Sequence, residues 1–203
     1  QKEEILQAAL LEDRLEVTGK ITCKGQVFRC VDSYESCEGG ILVTSRLQCI
    51  SGRGELPRFA KVFRLDESFD FVEYTGRMGE SYCDMKEHVP IGTVNCTVAD
   101  MTEPNIRPQE SGNRMDCSWV KVSDGETAFS FTAVDKPFEL GIKPYSDWEL
   151  CFMKHREDEV RTGTYVAISA FQMGVGTGSC GPATLPQYCY DARETHTLKF
   201  IIS

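Results

Sequence analysis

Zinc-ligand spacing is missing from this 203-residue sequence, because none of its ten cysteines forms a Cys-x-x-Cys pair. A structural zinc site is therefore poorly supported, and we predict no metal site. Histidine is scarce: His88, His155 and His196 are the only three, and none stands in a recognisable Cys–His context. Long apolar runs are missing too, since stretches such as Ile41–Val43 and Tyr165–Phe171 are short. No segment is predicted to cross a membrane.

Basic residues are outnumbered, with 22 Lys and Arg against 31 Asp and Glu and a formal net charge of −9. Nucleic acid and anionic lipid both require a basic surface, so neither is an expected partner. The chain opens on QKEEILQ rather than on a signal peptide. We therefore expect a cytoplasmic protein whose cysteines are free, buried thiols.

Alternation of β-branched and aromatic residues dominates the chain from residue 14 onward. It predicts ten strands separated by turn signals, at 14–21, 26–36, 40–50, 59–66, 69–76, 93–101, 114–123, 127–134, 164–171 and 196–203. Many short strands with few helices indicate an all-β antiparallel sandwich. We predict one domain over 15–203, preceded by a helical lead-in over 1–14.

Two short segments have helical signals. Residues 3–11, EEILQAALL, place Ile5, Leu6, Ala9 and Leu10 at helical spacing. A second helix is predicted at 146–155, where Ser146 and Glu149 have the spacing of a capping box.

The segment GVGTGSCGP (174–182) contains a Gly-x-Gly-x-x-Gly pattern. A dinucleotide fingerprint needs a helix directly after the glycines, but Pro186 would break such a helix one turn later. No Gly-Lys-Ser/Thr follows, which excludes a P-loop as well. Cys180 has no adjacent base that would make it a nucleophile. The glycines are more simply explained by a loop of fixed shape that follows a strand.

Carboxylates stand near several turn motifs: Glu73, Glu80, Asp84, Glu110 and Asp116. A glycosidase needs two carboxyl groups that face each other across a sugar, and no such pair is visible in the sequence. We interpret these residues as surface charges and turn caps.

Three segments occur in the order and spacing of one known family. They are VEYTGRMGESYCDMK (72–86), EPNIRPQESGNRMDCSW (103–119) and GVGTGSCGPATLP (174–186). Together with segments 55–65 and 137–150, they resemble the C-terminal small-chain domain (domain 5) of family 2 glycoside hydrolase β-galactosidases. The resemblance runs from about residue 15 to the end, and Pro-Gln-Glu-Ser-Gly-Asn-Arg is its most specific part.

This resemblance implies an antiparallel β-supersandwich like that of galactose mutarotase, incomplete at its N-terminal side because the early part of the family domain has no counterpart. It implies a parent enzyme that hydrolyses terminal β-D-galactosides with retention. The catalytic glutamates of the family lie on a (β/α)₈ barrel, so no catalytic residue is expected here and the chain alone should be inactive. The family often uses Mg²⁺ and Na⁺ in other domains, and no cofactor is expected in this one.

The resemblance also assigns site residues. Gly176, Thr177, Gly178, Ser179 and Cys180 are expected to form a loop at the rim of the parent's active site. Cys180 stands where the best-known members carry a tryptophan that packs against the sugar, and a thiol cannot stack in that way.

A second set is expected to order a turn and to be structural. It consists of Arg107, Gln109, Glu110, Asn113 and Arg114.

The expected partners are the remaining domains of the parent and, through its active site, a β-galactoside. An incomplete sandwich leaves a sheet edge or an apolar face uncovered, which predicts a homodimer through that surface. One alternative is a stand-alone carbohydrate-binding or mutarotase-like protein, for which the three histidines give little support. Another is an interaction domain that has lost its connection to sugars.

Overall fold

The structure is a computed structural model that describes residues 1–174 and 183–203. Its strands are β1 (Lys2–Leu10), β2 (Arg14–Cys23), β3 (Gln26–Cys37), β4 (Gly40–Ser51), β5 (Arg58–Leu65), β6 (Phe71–Arg77), β7 (Ile91–Thr97), β8 (Arg114–Cys117), β9 (Trp119–Ser123), β10 (Ala128–Ala133), β11 (Phe138–Lys143), β12 (Thr164–Gln172) and β13 (His196–Ile202). One short helix, α1, spans Asp147–Leu150, and 3₁₀ turns lie at Val98–Met101, Arg156–Asp158 and Pro186–Tyr188. No helix in the described ranges is long and apolar enough to cross a membrane.

The strands form two antiparallel sheets of unequal width. The larger sheet has nine strands in the order β1-β2-β3-β4-β13-β10-β9-β6-β7, and the smaller has four in the order β5-β12-β11-β8. The predicted all-β antiparallel architecture is thus confirmed. Strand β13 lies in the middle of the larger sheet, where it pairs with β4 on one side and β10 on the other.

The core lies between the two sheets, because alternate residues of each strand face inward. In β4, Val43 and Leu47 are buried on the inner face. The small sheet contributes Phe63, whose ring centroid lies 5.0 Å from that of Phe131 and 6.0 Å from that of Phe200. These contacts place β5 opposite the central strands of the large sheet.

The predicted helix at the start of the chain is wrong: residues 2–10 form the edge strand β1. Ile5 is 77% exposed and Leu10 is 85% exposed, so the apolar residues of this segment bury no helical face. What orders the segment is backbone pairing with β2, which runs from Lys2 opposite Thr22 to Leu10 opposite Leu15. Tertiary pairing thus overrides the local spacing.

The predicted capping box at Ser146 is confirmed, although the helix that follows is a single turn. The Ser146 Oγ accepts a hydrogen bond from the Glu149 backbone N–H at 3.2 Å, and Glu149 Oε2 accepts one from the Ser146 backbone N–H at 2.7 Å. Two otherwise unpaired backbone donors are satisfied in this way.

Replacing Ser146 with alanine should lower the free energy of unfolding by about 1 kcal/mol, because the Glu149 amide loses its acceptor. Urea unfolding followed by circular dichroism measures this. Ser36→Ala, at an exposed position of β3, is the matched control and should change the free energy by less than about 0.5 kcal/mol. Equal effects of the two changes would contradict a capping role.

The large sheet extends beyond the small sheet at one end. Lys61 of β5 forms an ion pair with Asp32 of β3 at 2.6 Å, and β5 is the last strand of the small sheet. No strand in the described part of the chain lies opposite β1 or β2. An open cleft of about 840 Å³ remains there, lined by residues of β1, β2, β3 and β5.

The outer face of the small sheet is covered by connecting segments. Glu139 and Ser169 are direct cross-strand partners, and they are 5% and 1% exposed. Leu140 and Ile168, on the opposite face, are fully buried in the core. Both faces of the small sheet are therefore buried at its centre, and the segments that cover its outer face carry the candidate site.

Candidate functional site

The two segments with the most specific motifs, 77–86 and 111–116, bind each other directly. The Ser81 backbone N–H donates to the Asn113 carbonyl at 2.8 Å. In return, the Met115 backbone N–H donates to Ser81 Oγ at 2.9 Å, and the Gly112 N–H donates to Glu80 Oε1 at 2.7 Å. Reciprocal bonds of this kind fix the two segments as one layer.

Gly112 is required at its position for a steric reason. Its φ of +79° lies in the left-handed region, and a Cβ built on it would stand 1.9 Å from the Met101 carbonyl oxygen. Any other residue would be strained there and would push the segment away from Met101. The glycine of the Ser-Gly-Asn-Arg motif is thus explained by close backbone packing.

Arg77 anchors the first segment. Its Nε donates to Asp116 Oδ2 at 2.7 Å, and its Nη1 donates to the carbonyls of Lys86 and Val89 at 2.5 and 2.6 Å. Lys86 adds a longer ion pair with Asp116, at 3.7 Å. Asp116 therefore neutralises a guanidinium rather than standing free as an acid or a base.

Asn113 connects the layer to a buried carboxyl group. Its Nδ2 donates to the Ser81 carbonyl at 2.9 Å and to Glu139 Oε2 at 2.7 Å. Burial raises the pKa of Glu139 to about 7, against the opposing effects of the Asn113 bond and the Gln172 backbone N–H. A carboxyl group in this position changes its charge near neutral pH.

Glu110 is one of four charged side chains that form a network on the outer face of the small sheet, together with Lys143, Asp147 and Arg58. Lys143 Nζ lies 2.5 Å from Glu110 Oε2 and 3.0 Å from Asp147 Oδ1. Arg58 forms a further ion pair with Asp147. Burial would raise the pKa of Asp147, but Lys143 and Arg58 outweigh it and lower the pKa to about 2. The network ties the motif turn to β5, β11 and α1.

The five predicted turn residues fall into two groups. Arg107 and Gln109 are exposed. Glu110 and Asn113 make the contacts described above. Arg114 is 5% exposed, and its Nη2 donates to the Asp100 carbonyl at 3.4 Å.

The predicted rim loop, Gly176, Thr177, Gly178, Ser179 and Cys180, lies outside the described residues. Its flanks lie against the interlocked layer. A Cβ on Gly174 would stand 2.1 Å from Asp84 Oδ1, and Thr184 Oγ1 donates to the Gly174 carbonyl at 3.4 Å. The Cys83 thiol reaches the Tyr188 carbonyl at 3.6 Å. Gly174 on one side of the loop and Tyr188 on the other therefore both lie close to segment 83–84.

An aromatic stack supports the same region from beneath. The rings of Phe171 and Tyr190 stack with centroids 3.9 Å apart. The ring centroid of His196 lies 4.7 Å from that of Phe171. The His196 Nε2 lies 3.0 Å from the Asp191 carbonyl. This histidine is therefore part of the fold rather than an open ligand.

Sequence reasoning missed two residues that organise the site, Glu139 and Lys143. Both lie on β11, whose sequence FELGIK alternates apolar and polar side chains as a half-exposed strand would. The burial of these polar side chains depends on the segments that cover the outer face. The one signal in the sequence is spacing: residues 139, 141 and 143 of a strand lie on the same face, so Glu139, Gly141 and Lys143 share one face of β11.

The described cysteines, nine in number, are all free thiols. The prediction of unpaired cysteines is thus confirmed for these nine, although only Cys30 and Cys117 are buried and Cys151 is exposed. In the same residues, no group of three or more His, Cys, Asp or Glu side chains is arranged to hold a metal ion.

Comparison with known proteins agrees with the motif pattern. The family model described as the beta galactosidase small chain matches residues 2–202. The chain belongs to the β-galactosidase small-chain family. The match includes β1, which the sequence resemblance left out.

This small-chain protein is 31% identical over 180 residues to the β-galactosidase of Staphylococcus xylosus, covering 86% of this chain and 18% of that protein. It is also 31% identical over 166 residues to the β-galactosidase of Lactobacillus delbrueckii subsp. bulgaricus, covering 81% of this chain and 16% of that one. The chain thus spans less than a fifth of these relatives. A solved structure named "Putative aldose 1-epimerase" from Escherichia coli K12 aligns with a TM-score of 0.44 at 9% identity, over 97% of this chain and 68% of that one.

Proposed function

We propose that this chain is the C-terminal domain of a retaining β-galactosidase, in which it is a non-catalytic scaffold that presents the 174–182 loop to the active site of another domain. The observation that carries the proposal is the interlocked layer of segments 77–86 and 111–116. The layer holds Gly174 against Asp84 and is tied to the small sheet through Asn113 and Glu139. It therefore sets the point from which the loop departs.

The engagement of the carboxylates supports a non-catalytic role. Glycoside hydrolysis needs an acid and a second carboxylate that both reach the sugar. Glu80 accepts the Gly112 amide, Glu110 and Asp147 share Lys143, and Asp116 binds Arg77. Glu139 is too deeply buried, at 5% exposure, to reach a substrate.

An exposed apolar patch supports contact with the other domains of the parent. Trp148 is 73% exposed, Phe152 is 65% exposed and Val160 is 63% exposed. The rings of Trp148 and Phe152 meet edge to face at 4.9 Å. A large exposed aromatic patch is typical of a protein interface, and this one lies beside the Glu110–Lys143–Asp147 network.

The purified chain should not hydrolyse a chromogenic β-galactoside, because Glu80, Glu110, Asp116, Asp147 and Glu139 are each engaged within the chain or buried and hydrolysis needs two carboxyl groups that reach the sugar. Replacing the matching segment of the Staphylococcus xylosus enzyme with this chain should leave measurable hydrolysis. Turnover by the isolated chain, or a folded graft without any activity, would contradict the proposal. Calorimetric binding of galactose to the isolated chain with a micromolar Kd would favour a stand-alone sugar-binding protein instead.

A further inference from the structure

A groove of about 330 Å³ beside α1 combines aromatic walls with negative charge. Its charged residues are Glu149 and Asp158, and within the described part of the chain it has no cationic lining residue. Its apolar lining consists of the side chains of Trp148, Phe152, Met153 and Val160. Such a groove suits a ligand that joins a flat apolar surface to a positive charge.

Each of the two carboxylates is held in place through one oxygen. Glu149 Oε2 accepts hydrogen bonds from the Ser146 backbone N–H at 2.7 Å, the Ser146 hydroxyl at 2.6 Å and the Thr162 hydroxyl at 3.0 Å. Asp158 Oδ2 accepts the backbone N–H groups of residues 154–155 at 2.8 and 2.9 Å. Among the described residues, Glu149 Oε1 and Asp158 Oδ1 have no hydrogen-bond partner. Acceptors that are fixed in this way are preorganised for a donor from outside the chain.

The charges of these carboxylates are available to a partner. Hydrogen bonds from Ser146 lower the pKa of Glu149, and backbone hydrogen bonds lower the pKa of Asp158, so both are ionised at neutral pH. Neither forms an ion pair with a residue in the described ranges. Arg64 lies near Glu149 but donates to the Thr162 carbonyl at 2.7 Å.

We propose that this groove binds an arginine side chain of another domain of the parent enzyme, with the guanidinium stacked on Trp148 and donating to Glu149 and Asp158. The inference rests on the proposed function, which supplies the neighbouring domain. It gives the exposed aromatic patch a partner of defined chemistry.

The chemistry of the groove favours arginine over other ligands. A guanidinium is planar and carries five donors and no acceptor, which matches a groove whose open polar atoms are acceptors. A lysine has no flat surface to stack on Trp148. A sugar brings acceptors as well as donors, whereas the Thr162 hydroxyl already donates to Glu149.

The indole N–H resonances of Trp119 and Trp148, the two tryptophans of the chain, test the groove by NMR. N-acetyl-arginine amide, added to about 50 mM at low salt, should shift the Trp148 resonance with a Kd in the millimolar range. The Trp119 resonance, from β9, should stay in place. N-acetyl-citrulline amide has nearly the same shape without the charge and should bind about tenfold more weakly.

A matched pair of variants tests the aromatic wall. Phe152→Ala should raise the Kd of N-acetyl-arginine amide roughly threefold or more, because the ring beside Trp148 is lost. Phe71→Ala is the control, since Phe71 is 59% exposed on β6 and Phe152 is 65% exposed. If Phe152→Ala fails to fold, Phe152→Leu replaces it. A Trp148 resonance that does not move, equal binding of the two amides or equal effects of the two variants would overturn the arginine site.

The graft into the Staphylococcus xylosus enzyme tests the neighbouring domain. In the graft, Trp148→Ala should shorten the half-life of activity at a fixed elevated temperature roughly threefold or more, and Phe71→Ala should not. Equal half-lives would overturn the occupation of the groove by another domain. A folded but inactive graft would contradict the proposed function instead, while selective binding of the arginine amide by the isolated chain would still support the site.

Discussion

Relative to the original chain, the Glu139→Gln variant should have a free energy of unfolding that is about 2 kcal/mol more favourable at pH 8 than at pH 5. Burial raises the pKa of Glu139 from 4.5 to about 7 in the folded chain. An acid whose folded pKa is raised stabilises the fold below the unfolded pKa and loses that contribution as pH rises through the folded pKa. The original protein should therefore lose stability across this window, and the variant should lose less.

Urea unfolding at both pH values gives the two free energies. The glutamine keeps the shape of the side chain, and its amide oxygen can still accept from Asn113. Glu38→Gln removes the same charge at an exposed turn position and controls for the change in net charge. If Glu139→Gln changes the free energy of unfolding equally at pH 5 and pH 8, the ionisation of Glu139 does not change between these pH values.

Replacing Lys143 with methionine should lower the free energy of unfolding by about 3 kcal/mol, because it removes the cation shared by Glu110 and Asp147. The Lys143 side chain is 7% exposed, so water cannot easily take its place. Arg58 remains beside Asp147, and Glu110 loses its partner. Denaturant unfolding at neutral pH measures the loss.

Lys199→Met is the matched control, since Lys199 pairs with Asp135 at 2.7 Å with side chains 38% and 66% exposed. Its cost should stay below about 1 kcal/mol. The double change Lys143→Met with Glu110→Gln should recover part of the loss, because the remaining unpaired charge is removed. Equal costs for the two lysines would show that the network adds nothing beyond a surface ion pair.

The strands could be predicted from the sequence because their inner and outer faces differ. In β4, the buried residues Val43, Ser45 and Leu47 alternate with more exposed ones, which gives the period of two that the prediction used. The first strand lacks this signal. Neither face of β1 is buried, so the positions of Ile5 and Leu6 reflect no burial and their spacing resembles a helix by chance.

The site could be predicted only as far as its motifs. Glu110, Asn113 and Arg114 were found because they stand in a recognisable sequence block. Glu139 and Lys143 lie opposite these residues in space but about 30 positions later in the sequence, with separations of 26 from Asn113 to Glu139 and 33 from Glu110 to Lys143. Contacts of that range depend on the packed layer, and no local pattern in β11 marks them.

The central place of β13 constrains the order of events during synthesis. On one side lie β1 to β4, which can pair as consecutive hairpins, and on the other lie β10, β9, β6 and β7. Among the strands that the structure describes, only β13, from residues 196–202, bonds to both halves. The large sheet therefore stays split until these residues leave the ribosome. Until then, the nascent chain exposes two unpaired inner edges, β4 and β10, that a chaperone would have to protect.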